Sequence, residues 1–251
     1  MGFSLSGPSG NSTDTTDLTP TRNAANPIRQ RRARRAAAYR RFDNAVVEES
    51  FLPVLGKRAL DVAGSLFGLL LFAPLLIGIA TAIKATSPGP VFFRQKRYGY
   101  HNRRFWIFKF RTMYIDRSDQ RGTRQAVVDD PRVTPLGRIL RKTSLDELPQ
   151  LINVLKGDMS LVGPRPHVPG MLANGMLYEQ FIPYYLQRHN MRPGVTGLAQ
   201  VRGLRGTTTD PAAALERVDS DLEYIERWSL LLDIRIILRT VVTEFFSGSG
   251  H

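Results

Sequence analysis

The chain has 251 residues, a formal net charge of +13 and no cysteine. The missing cysteines exclude disulfides, thiol nucleophiles and cysteine zinc sites, and the four histidines show no zinc-binding spacing such as H-E-x-x-H. The strongly basic balance indicates a polyanionic partner, namely nucleic acid, an anionic membrane surface or a phosphate-rich substrate.

Residues 1–45 are predicted to form a disordered arm. The first twenty are mostly small and polar, so burial could not offset the entropy lost on ordering them. Eight arginines follow between Arg22 and Arg41. This run is interpreted either as a solvated tail or as an electrostatic anchor to anionic lipid headgroups, which would contribute roughly 1 kcal/mol per basic residue near the surface.

Residues 46–90 are predicted to be a lead-in and a membrane helix. No charge occurs in the 22 residues from Val62 to Ile83, enough to cross a bilayer of ~30 Å. Pro74 lies at the midpoint and should kink the helix. Both flanks are basic, whereas a span with one cytoplasmic end should show an asymmetry of Lys and Arg. We therefore favour a re-entrant helix over a spanning one, and we expect Arg58 and Asp61 to pair near the interface.

Two aromatic, β-rich runs come next, Val91–Arg97 and Phe105–Phe110, and the turn sequence GYHN between them predicts a hairpin. Lys109 and Arg111 are two residues apart, so an extended chain places them on one face. That face is interpreted either as a solvated basic surface or as a pair of phosphate ligands beside a membrane. The polar segment 116–130 is predicted to be a loop.

Further helices are predicted towards the C-terminus. TPLGRILRKT should form a short helix with Thr134 as N-cap and Pro135 at the first helical position. The segment PAAALERVDSDLEYIERWSLLLDIRIILRTVVTEFF should form one or two helices, because Leu222, Ile225 and Leu232 recur at helical spacing. Residues 246–251 are predicted to be a flexible tail.

Two adjacent carboxylates, Asp146 and Glu147, lie in the stretch KTSLDELPQLINVLKGDMSLVGPRP. Ser144 and Glu147 match a capping box. However, Pro149 would then be the fifth helical residue, where its missing N–H is costly, so we expect the helix to begin at Leu148–Pro149 instead. That start would leave both carboxylates free for chemistry.

Phosphoryl transfer is the chemistry that this stretch suggests. Aspartate is a competent nucleophile at phosphorus, a neighbouring glutamate can bind Mg²⁺, and arginine recognises phosphate bidentately. Pro164 and Pro166 flank Arg165 and restrict where its guanidinium can point. Arg141, five residues before Asp146, is a second cation within reach. An Asp-Glu pair alone is a weak signal, and the structural alternative is a helix cap.

The motifs in series resemble the monotopic polyprenyl-phosphate glycosyl-1-phosphate transferases of the bacterial sugar transferase family. The matching pieces run from Lys57 to about Thr240: KRALD, Pro74, GPVFFRQKRYG, FKFRTM, DPRVTPLGRILRKTSLDELPQLINVLKGDMSLVGPRP, RPGVTGLAQV and DLEYIERWSLLLDIRIILRT. The resemblance implies a mainly α fold with a small β-hairpin. It implies a monotopic membrane protein in which a re-entrant, Pro-kinked helix and amphipathic surface helices surround a cytoplasmic catalytic site. Residues 91–245 would be the catalytic domain, forming one functional unit with residues 57–90 at the bacterial inner membrane.

The resemblance also implies a ping-pong reaction. Asp146 would attack the β-phosphorus of a UDP-sugar and release UMP, and the phospho-sugar would then pass to undecaprenyl phosphate. Glu147 would hold Mg²⁺, and Arg165 and Arg141 match family positions linked to phosphate binding. The further candidate phosphate- or substrate-binding residues, added on charge and position, are Lys109, Arg111, Pro164, Pro166 and His167. For His167 the alternative is a plain loop histidine.

The substrate is expected to be UDP-glucose first and UDP-galactose next, because GPRPH and the overall sequence resemble initiators of exopolysaccharide synthesis. The helix break reads Ala73-Pro74 where the family often has Ser-Pro, so no serine hydroxyl helps the bend. Larger relatives carry more transmembrane helices ahead of this core, so a short form is expected. Inner-membrane lipids are expected partners and nucleic acid is not, while a homodimer stays an open alternative. The rival functions are a membrane-tethered anionic-lipid or nucleic-acid binder without catalysis, a phosphatase, and an ordinary glycosyltransferase.

Overall fold

α-Helices provide most of the regular structure in the computed structural model, which describes residues 2, 27–39, 51–116, 130–173, 175–204, 206 and 210–247. The bounds of the helices are α1 (Pro27–Tyr39), α2 (Phe51–Leu71), α3 (Ala73–Thr86), α4 (Pro135–Lys142), α5 (Gln150–Lys156), α6 (Tyr178–Phe181), α7 (Leu198–Val201), α8 (Pro211–Glu226) and α9 (Leu230–Ser247).

Strands within the described residues form three two-stranded sheets. Their bounds are β1 (Phe92–Tyr98), β2 (Arg104–Phe110), β3 (Ser160–Val162), β4 (Leu172–Ala173), β5 (Met176–Leu177) and β6 (Gly194–Thr196). The pairs β1–β2 and β4–β5 are antiparallel, and β3–β6 is parallel. The prediction of a mainly helical chain with a small hairpin is therefore confirmed, while the β3–β6 and β4–β5 pairs were not predicted.

The apolar segment bends at Pro74. No single helix in the described part of the chain is long and apolar enough to cross a membrane, but α2 and α3 meet that test of length and composition as a pair bent by 62°. Pro74 lacks the N–H that would continue the helix, and Phe72 is the cap residue at the break. The predicted kink is therefore confirmed, and it forms without a serine at position 73.

The KRALD motif fastens α2 to the rest of the protein. Arg58 donates to the Val154 and Leu155 carbonyls at 2.7 and 2.8 Å, where α5 ends. Asp61 accepts from the Ser160 hydroxyl and the Leu161 N–H at 2.9 and 2.8 Å, where β3 begins. The prediction of an Arg58–Asp61 pair is therefore wrong, because Arg58 binds backbone carbonyls at the end of α5 and Asp61 accepts hydrogen bonds from the start of β3.

Lys57 belongs to a third connection, which joins α2 to α9. Its ammonium is 2.7 Å from Asp233 Oδ2, and it also donates to the Val162 carbonyl at 3.0 Å and to the Tyr224 hydroxyl at 3.2 Å. The Tyr224 hydroxyl donates to Asp233 Oδ1 at 2.6 Å, and the Trp228 indole donates to Oδ2 at 3.2 Å. All three ammonium protons and both carboxylate oxygens therefore have partners.

The β1–β2 hairpin forms as predicted, with the 3₁₀ turn Tyr100–Asn102 between its strands. Strand β2 ends at Phe110, so Lys109 and Arg111 do not lie on one strand face. The Arg111 guanidinium turns to the end of α3, where it donates to the Ser87 carbonyl at 2.8 Å, to the Ser87 hydroxyl at 2.9 Å and to the Pro88 carbonyl. Arg111 therefore caps a helix end and joins the hairpin to the bent pair.

Part of the predicted arm is helical. Helix α1 packs Ile28 and Ala36 against the core of α8. Its Arg31 lies 3.1 Å from Asp219 on α8. The prediction of disorder is therefore wrong for residues 27–39, because one face of this helix finds an apolar and acidic partner that composition alone does not reveal. The rest of the predicted arm falls almost entirely outside the described residues.

The C-terminal segment forms two helices, α8 and α9. Helix α8 begins at Asp210, whose carboxylate accepts from the N–H groups of Ala212 and Ala213. Helix α9 continues to Ser247, two residues into the segment that was predicted as a tail; residues 248–251 lie outside the described part. Most of the predicted loop 116–130 also lies outside it.

Candidate functional site

The carboxylate pair lies in a tight turn between α4 and α5. Helix α4 begins as predicted, with the Thr134 hydroxyl accepting from the Gly137 N–H at 2.9 Å. Ser144 then adopts a left-handed conformation with φ 55° and makes no side-chain cap. The capping-box interpretation is therefore wrong. Asp146 and Glu147 occupy the 3₁₀ turn Leu145–Glu147, and α5 begins after Pro149, close to the predicted start.

Glu147 is held by two cations. Arg165 forms a two-pronged contact, with Nη2 2.5 Å from Oε1 and Nη1 3.1 Å from Oε2. The Lys109 ammonium lies 2.6 Å from Oε1. Burial by itself would raise the pKa of Glu147, but Arg165 and Lys109 outweigh it and hold the pKa well below the usual range. Glu147 is therefore an anion at neutral pH and fixes the positions of both cations.

Asp146 differs from its neighbour. It is 8% exposed, its nearest cation is Lys109 at 4.0 Å, and among the described residues its side chain accepts no hydrogen bond. Burial raises the pKa of this carboxyl; Lys109 opposes the rise and the negative charge of Glu147 adds to it. A carboxylate that is weakly solvated and weakly bonded is a stronger nucleophile than one saturated with hydrogen bonds.

The loop that carries Arg165 is built on the β3–β6 pair. The Gly163 N–H donates to the Thr196 carbonyl, and the Gly194 N–H donates to the Pro164 carbonyl. The two backbones approach so closely that a Cβ on Gly163 would lie 2.3 Å from the Arg192 carbonyl oxygen. Glycine is therefore required there for the two segments to meet.

Two arginines, the buried Arg188 and the partly buried Arg97, hold the carbonyl groups of this loop. Arg188 donates to the Arg165 carbonyl at 2.7 Å, and Arg97 donates to the Pro166 carbonyl at 3.2 Å. Arg188 is in turn paired with Asp221 of α8 at 2.5 Å, and both side chains are 1% exposed. This support was not predicted from the sequence. The only signal available in the sequence was the presence of Arg and Asp within otherwise apolar segments.

Arg141 lies beside the carboxylate pair, as predicted. Its Nε donates to the Thr112 hydroxyl at 2.9 Å. Burial lowers the pKa of Arg141, and the charges of Asp146 and Asp130 oppose this change. The fold thus brings the predicted residues Asp146, Glu147, Arg165, Lys109 and Arg141 into one cluster.

Two predicted residues lie elsewhere. Arg111 caps α3, as described above, and its guanidinium donates to the Ser87 and Pro88 carbonyls. His167 is 3% exposed, and its Nδ1 is 3.0 Å from the Tyr185 hydroxyl. Burial, together with the neighbouring positive charge of Arg188, holds the pKa of His167 well below its usual range, so the ring is neutral. Both side chains stabilise the surroundings of the cluster instead of facing it.

The carboxylate pair fits a magnesium ion. Mg²⁺ takes one or two protein carboxylates and completes its coordination with phosphate and water oxygens. No group of three metal-ligating side chains was found in the described part of the chain. Asp146 offers a carboxylate without hydrogen bonds from the described residues, whereas both Glu147 oxygens already contact Arg165 or Lys109. Glu147, the predicted metal ligand, would therefore have to share an oxygen with Arg165 or Lys109, while Asp146 stays free of such contacts.

Comparison with known proteins adds evidence independent of this geometry. The sequence model described as bacterial sugar transferase matches residues 52–247. The chain is 54% identical over 194 residues to the exopolysaccharide production protein PSS of Rhizobium leguminosarum bv. phaseoli, covering 77% of this chain and 97% of that protein.

Two longer relatives carry a substrate in their names. The undecaprenyl-phosphate glucose phosphotransferase of Komagataeibacter xylinus is 52% identical over 197 residues, covering 78% of this chain and 37% of that protein. The UDP-glucose:undecaprenyl-phosphate glucose-1-phosphate transferase of Escherichia coli is 48% identical over 195 residues, covering 78% of this chain and 41% of that protein. The chain therefore spans less than half the length of these two relatives.

Proposed function

Because the chain belongs to the bacterial sugar transferase family, we propose that it transfers a sugar-1-phosphate from a UDP-sugar to undecaprenyl phosphate. The observation that carries this proposal is the contrast within the carboxylate pair. Asp146 is weakly bonded and is surrounded by cations, while Glu147 is clamped between Arg165 and Lys109. This arrangement offers one carboxylate to a phosphorus atom and several cations to its oxygens.

The proposed reaction has two steps. A carboxylate oxygen of Asp146 attacks the phosphorus that bears the sugar; a new P–O bond forms, the bond to the bridging oxygen breaks, and UMP leaves. An oxygen of undecaprenyl phosphate then attacks the same phosphorus and releases Asp146 as a carboxylate. The product is undecaprenyl diphosphate sugar. Arg165 and Lys109 are placed to stabilise charge on the non-bridging oxygens during both steps.

We propose Mg²⁺ as the cofactor, held by Glu147 together with substrate phosphate oxygens, which leaves Asp146 free to act as the nucleophile. When bound, the ion would neutralise charge on the phosphates. The protein's own residues orient the group: Glu147 fixes Arg165 and Lys109, and Arg141 adds positive charge beside Asp146. Activity lost on chelation and restored by Mg²⁺ would support the proposal, whereas full activity in chelator would contradict it.

UDP-glucose is the favoured donor, with UDP-galactose next. The support is that several relatives are named for glucose transfer and one for exopolysaccharide production. A relative from Aeromonas hydrophila, 43% identical over 194 residues, is named for N-acetylgalactosamine, so a panel of UDP-sugars is needed. We place the reaction at the start of exopolysaccharide or glycoconjugate assembly.

The decisive assay combines purified protein, Mg²⁺, undecaprenyl phosphate and a panel of UDP-sugars, and it measures UMP. Release of UMP with one sugar is expected. No UMP with any sugar would contradict the proposed function, and release of UDP would indicate ordinary glycosyl transfer. Trapping the phospho-sugar on Asp146 by mass spectrometry, before the lipid acceptor is added, tests the covalent step.

We also propose monotopic insertion at the cytoplasmic face of the bacterial inner membrane. Apolar side chains are exposed along the bent pair, including Phe67 at 67% and Leu70 at 68%, and on α9, including Leu238 at 61%. Because the chain has no cysteine, single cysteines at the exposed positions Leu55 and Ala85 report cleanly on topology. Labelling of both from the same side is expected; labelling from opposite sides would establish a span.

The non-catalytic alternative, an anionic binder that uses the arginine arm, has less support. Part of the positive charge of α1 is already paired within the protein, since Arg31 and Arg35 lie 3.1 and 3.8 Å from Asp219. A purely electrostatic binder also has no need for the clamp around Glu147. Membrane binding that survives removal of residues 1–45 would argue against this alternative.

A further inference from the structure

Arg97 is a partly buried arginine that has no carboxylate partner among the described residues. On β1, its Nη2 donates to the Gln95 side-chain oxygen at 2.6 Å and its Nη1 donates to the Pro166 carbonyl at 3.2 Å. Its Nε is buried and makes no hydrogen bond within the described chain. Both partners are neutral. A guanidinium normally enters a protein interior only when a carboxylate or phosphate accompanies it.

Of the charges that act on Arg97 in the described part of the chain, the strongest is that of Arg165, which has the same sign. Burial and the adjacent Arg165 guanidinium lower the pKa of Arg97 to about 10, and Glu147 only partly offsets them. Glu147 is already engaged by Arg165 and Lys109, so it is not a dedicated partner. Arg97 thus binds the carbonyl of the residue that follows Arg165, and the two guanidinium groups repel each other.

The charges around the carboxylate pair do not balance. Four cations, namely Arg97, Lys109, Arg141 and Arg165, surround two carboxylates, Asp146 and Glu147, which leaves an excess of two positive charges. The diphosphate of a nucleotide sugar carries one negative charge on each phosphate. It therefore matches this excess in sign, and arginine is the side chain best suited to phosphate oxygens.

Resting on the proposed function, we infer that Arg97 is a second phosphate-binding residue of this site, so that Arg165 and Arg97 together take the two phosphates of the donor. The bound diphosphate supplies the negative charge that Arg97 lacks among the described residues. It also reduces the repulsion between the Arg97 and Arg165 guanidinium groups. The competing role is purely positional: Arg97 would serve only to hold the Pro166 carbonyl.

Two substitutions separate these roles, because each new side chain keeps a hydrogen-bond donor and only one keeps the charge. Arg97→Gln removes the charge, and Arg97→Lys keeps it. Arg94→Gln is the matched control, since Arg94 is exposed on the opposite face of the same strand. The probes are UDP, which carries the diphosphate without being turned over, and uridine, which lacks it. Binding to the full chain in detergent is measured by calorimetry at low and high salt.

The expected result is that Arg97→Gln weakens UDP binding about 10- to 100-fold at low salt and flattens its salt dependence. Arg97→Lys should lose clearly less, Arg94→Gln should behave as wild type, and uridine binding should not change. Equal UDP affinity of the Gln and Lys variants, or wild-type affinity of the Gln variant, would overturn the inference.

Thermal unfolding without ligand independently tests whether Arg97 is a phosphate-binding or a structural residue. An unpaired buried charge predicts that Arg97→Gln unfolds at the same or a higher temperature than wild type, but gains less stability from UDP. A large loss of stability without ligand would show that Arg97 is structural and would overturn the inference. If the wild type binds no UDP and forms no UMP, the proposed function itself is contradicted. If the wild type does both and Arg97→Gln matches it, only the role of Arg97 is contradicted.

Discussion

Two buried ionic clusters of this protein are built in opposite ways. Around Lys57 the charges are equal and every polar atom has a partner: the ammonium contacts Asp233, Tyr224 and the Val162 carbonyl, and Asp233 uses both oxygens. Around Asp146 the cations outnumber the carboxylates, and Asp146 itself accepts no hydrogen bond from the described residues. The first cluster is balanced in charge without a ligand, and the second carries an excess of positive charge that we propose is met by the phosphates of the donor.

Because of this difference, we expect substitutions in the Lys57 cluster to lower stability and substitutions in the Asp146 cluster to lower activity. A saturated network destabilises the fold when one member is removed, because the remaining charge stays buried and unpaired. An unsaturated cluster already carries uncompensated charge, so removing one member can leave the stability unchanged while it abolishes binding or chemistry. Each substitution below is therefore expected to move one property much more than the other.

The largest expected effect is the loss of activity in Asp146→Asn. The amide is nearly the same size but cannot attack phosphorus, so UMP release should fall by about 10³-fold or more. The unfolding temperature should not fall, because a weakly bonded buried carboxylate is removed. Asp158→Asn, at a more exposed aspartate paired with Lys156 at 3.3 Å, is the control and should stay close to wild type. Activity near wild type in Asp146→Asn would contradict the nucleophile assignment.

The next-largest effect is a loss of stability when the cluster around Lys57 is broken. Lys57→Met leaves Asp233 buried without its cation, which should cost about 3–5 kcal/mol, or about 6–20 °C in the unfolding temperature. Lys156→Met removes a lysine whose side chain is 53% exposed, and it should cost no more than about 0.5 kcal/mol. The measurement is thermal unfolding in detergent. Equal losses in the two variants would show that the Lys57 network does not lock α2 to α9.

A smaller effect is expected from Arg188, which acts on the site through the Arg165 backbone. Arg188→Lys keeps a charge for Asp221 but should lose the contact to the Arg165 carbonyl, lowering kcat/KM about tenfold. If Arg188 acts only by positioning Arg165, the same substitution in an Arg165→Gln background should cause little further loss. A tenfold loss that persists in that background would mean that Arg188 acts by another route.

The smallest effect concerns pH. In the proposed reaction Asp146 acts as a carboxylate, so activity should fall as this group is protonated. Because burial raises the pKa of Asp146, the acidic limb of kcat/KM should lie above the pH at which an ordinary aspartate titrates. Lys109 opposes that rise, so the residual activity of Lys109→Met should show an acidic limb at still higher pH. A limb that moves to lower pH in Lys109→Met would contradict the electrostatic account.

Local patterns in the sequence predicted several of the elements and the carboxylate pair. Pro74 within an uncharged run predicted the bend, Thr134 before Pro135 predicted the start of α4, and two β-rich runs around GYHN predicted the hairpin; all three are confirmed. Asp146, Glu147 and Arg165 were identified from adjacent residues and from a series of short motifs. These features depend on neighbours within about one turn or one strand, which is the range over which sequence patterns act.

Only the tertiary structure decided which groups pair. Arg58 and Asp61, three residues apart, were expected to meet, but such a helical pair contributes only about 0.2–0.5 kcal/mol. Instead they satisfy backbone groups that are 96 and 100 residues away. Likewise, Arg111 binds the end of α3 and not the carboxylate pair. Arg97 and Arg188, which were not predicted, bind the Pro166 and Arg165 carbonyls. Unpaired buried polar groups are costly wherever they lie, so long side chains go to the nearest ones in space, and only the folded chain defines which those are.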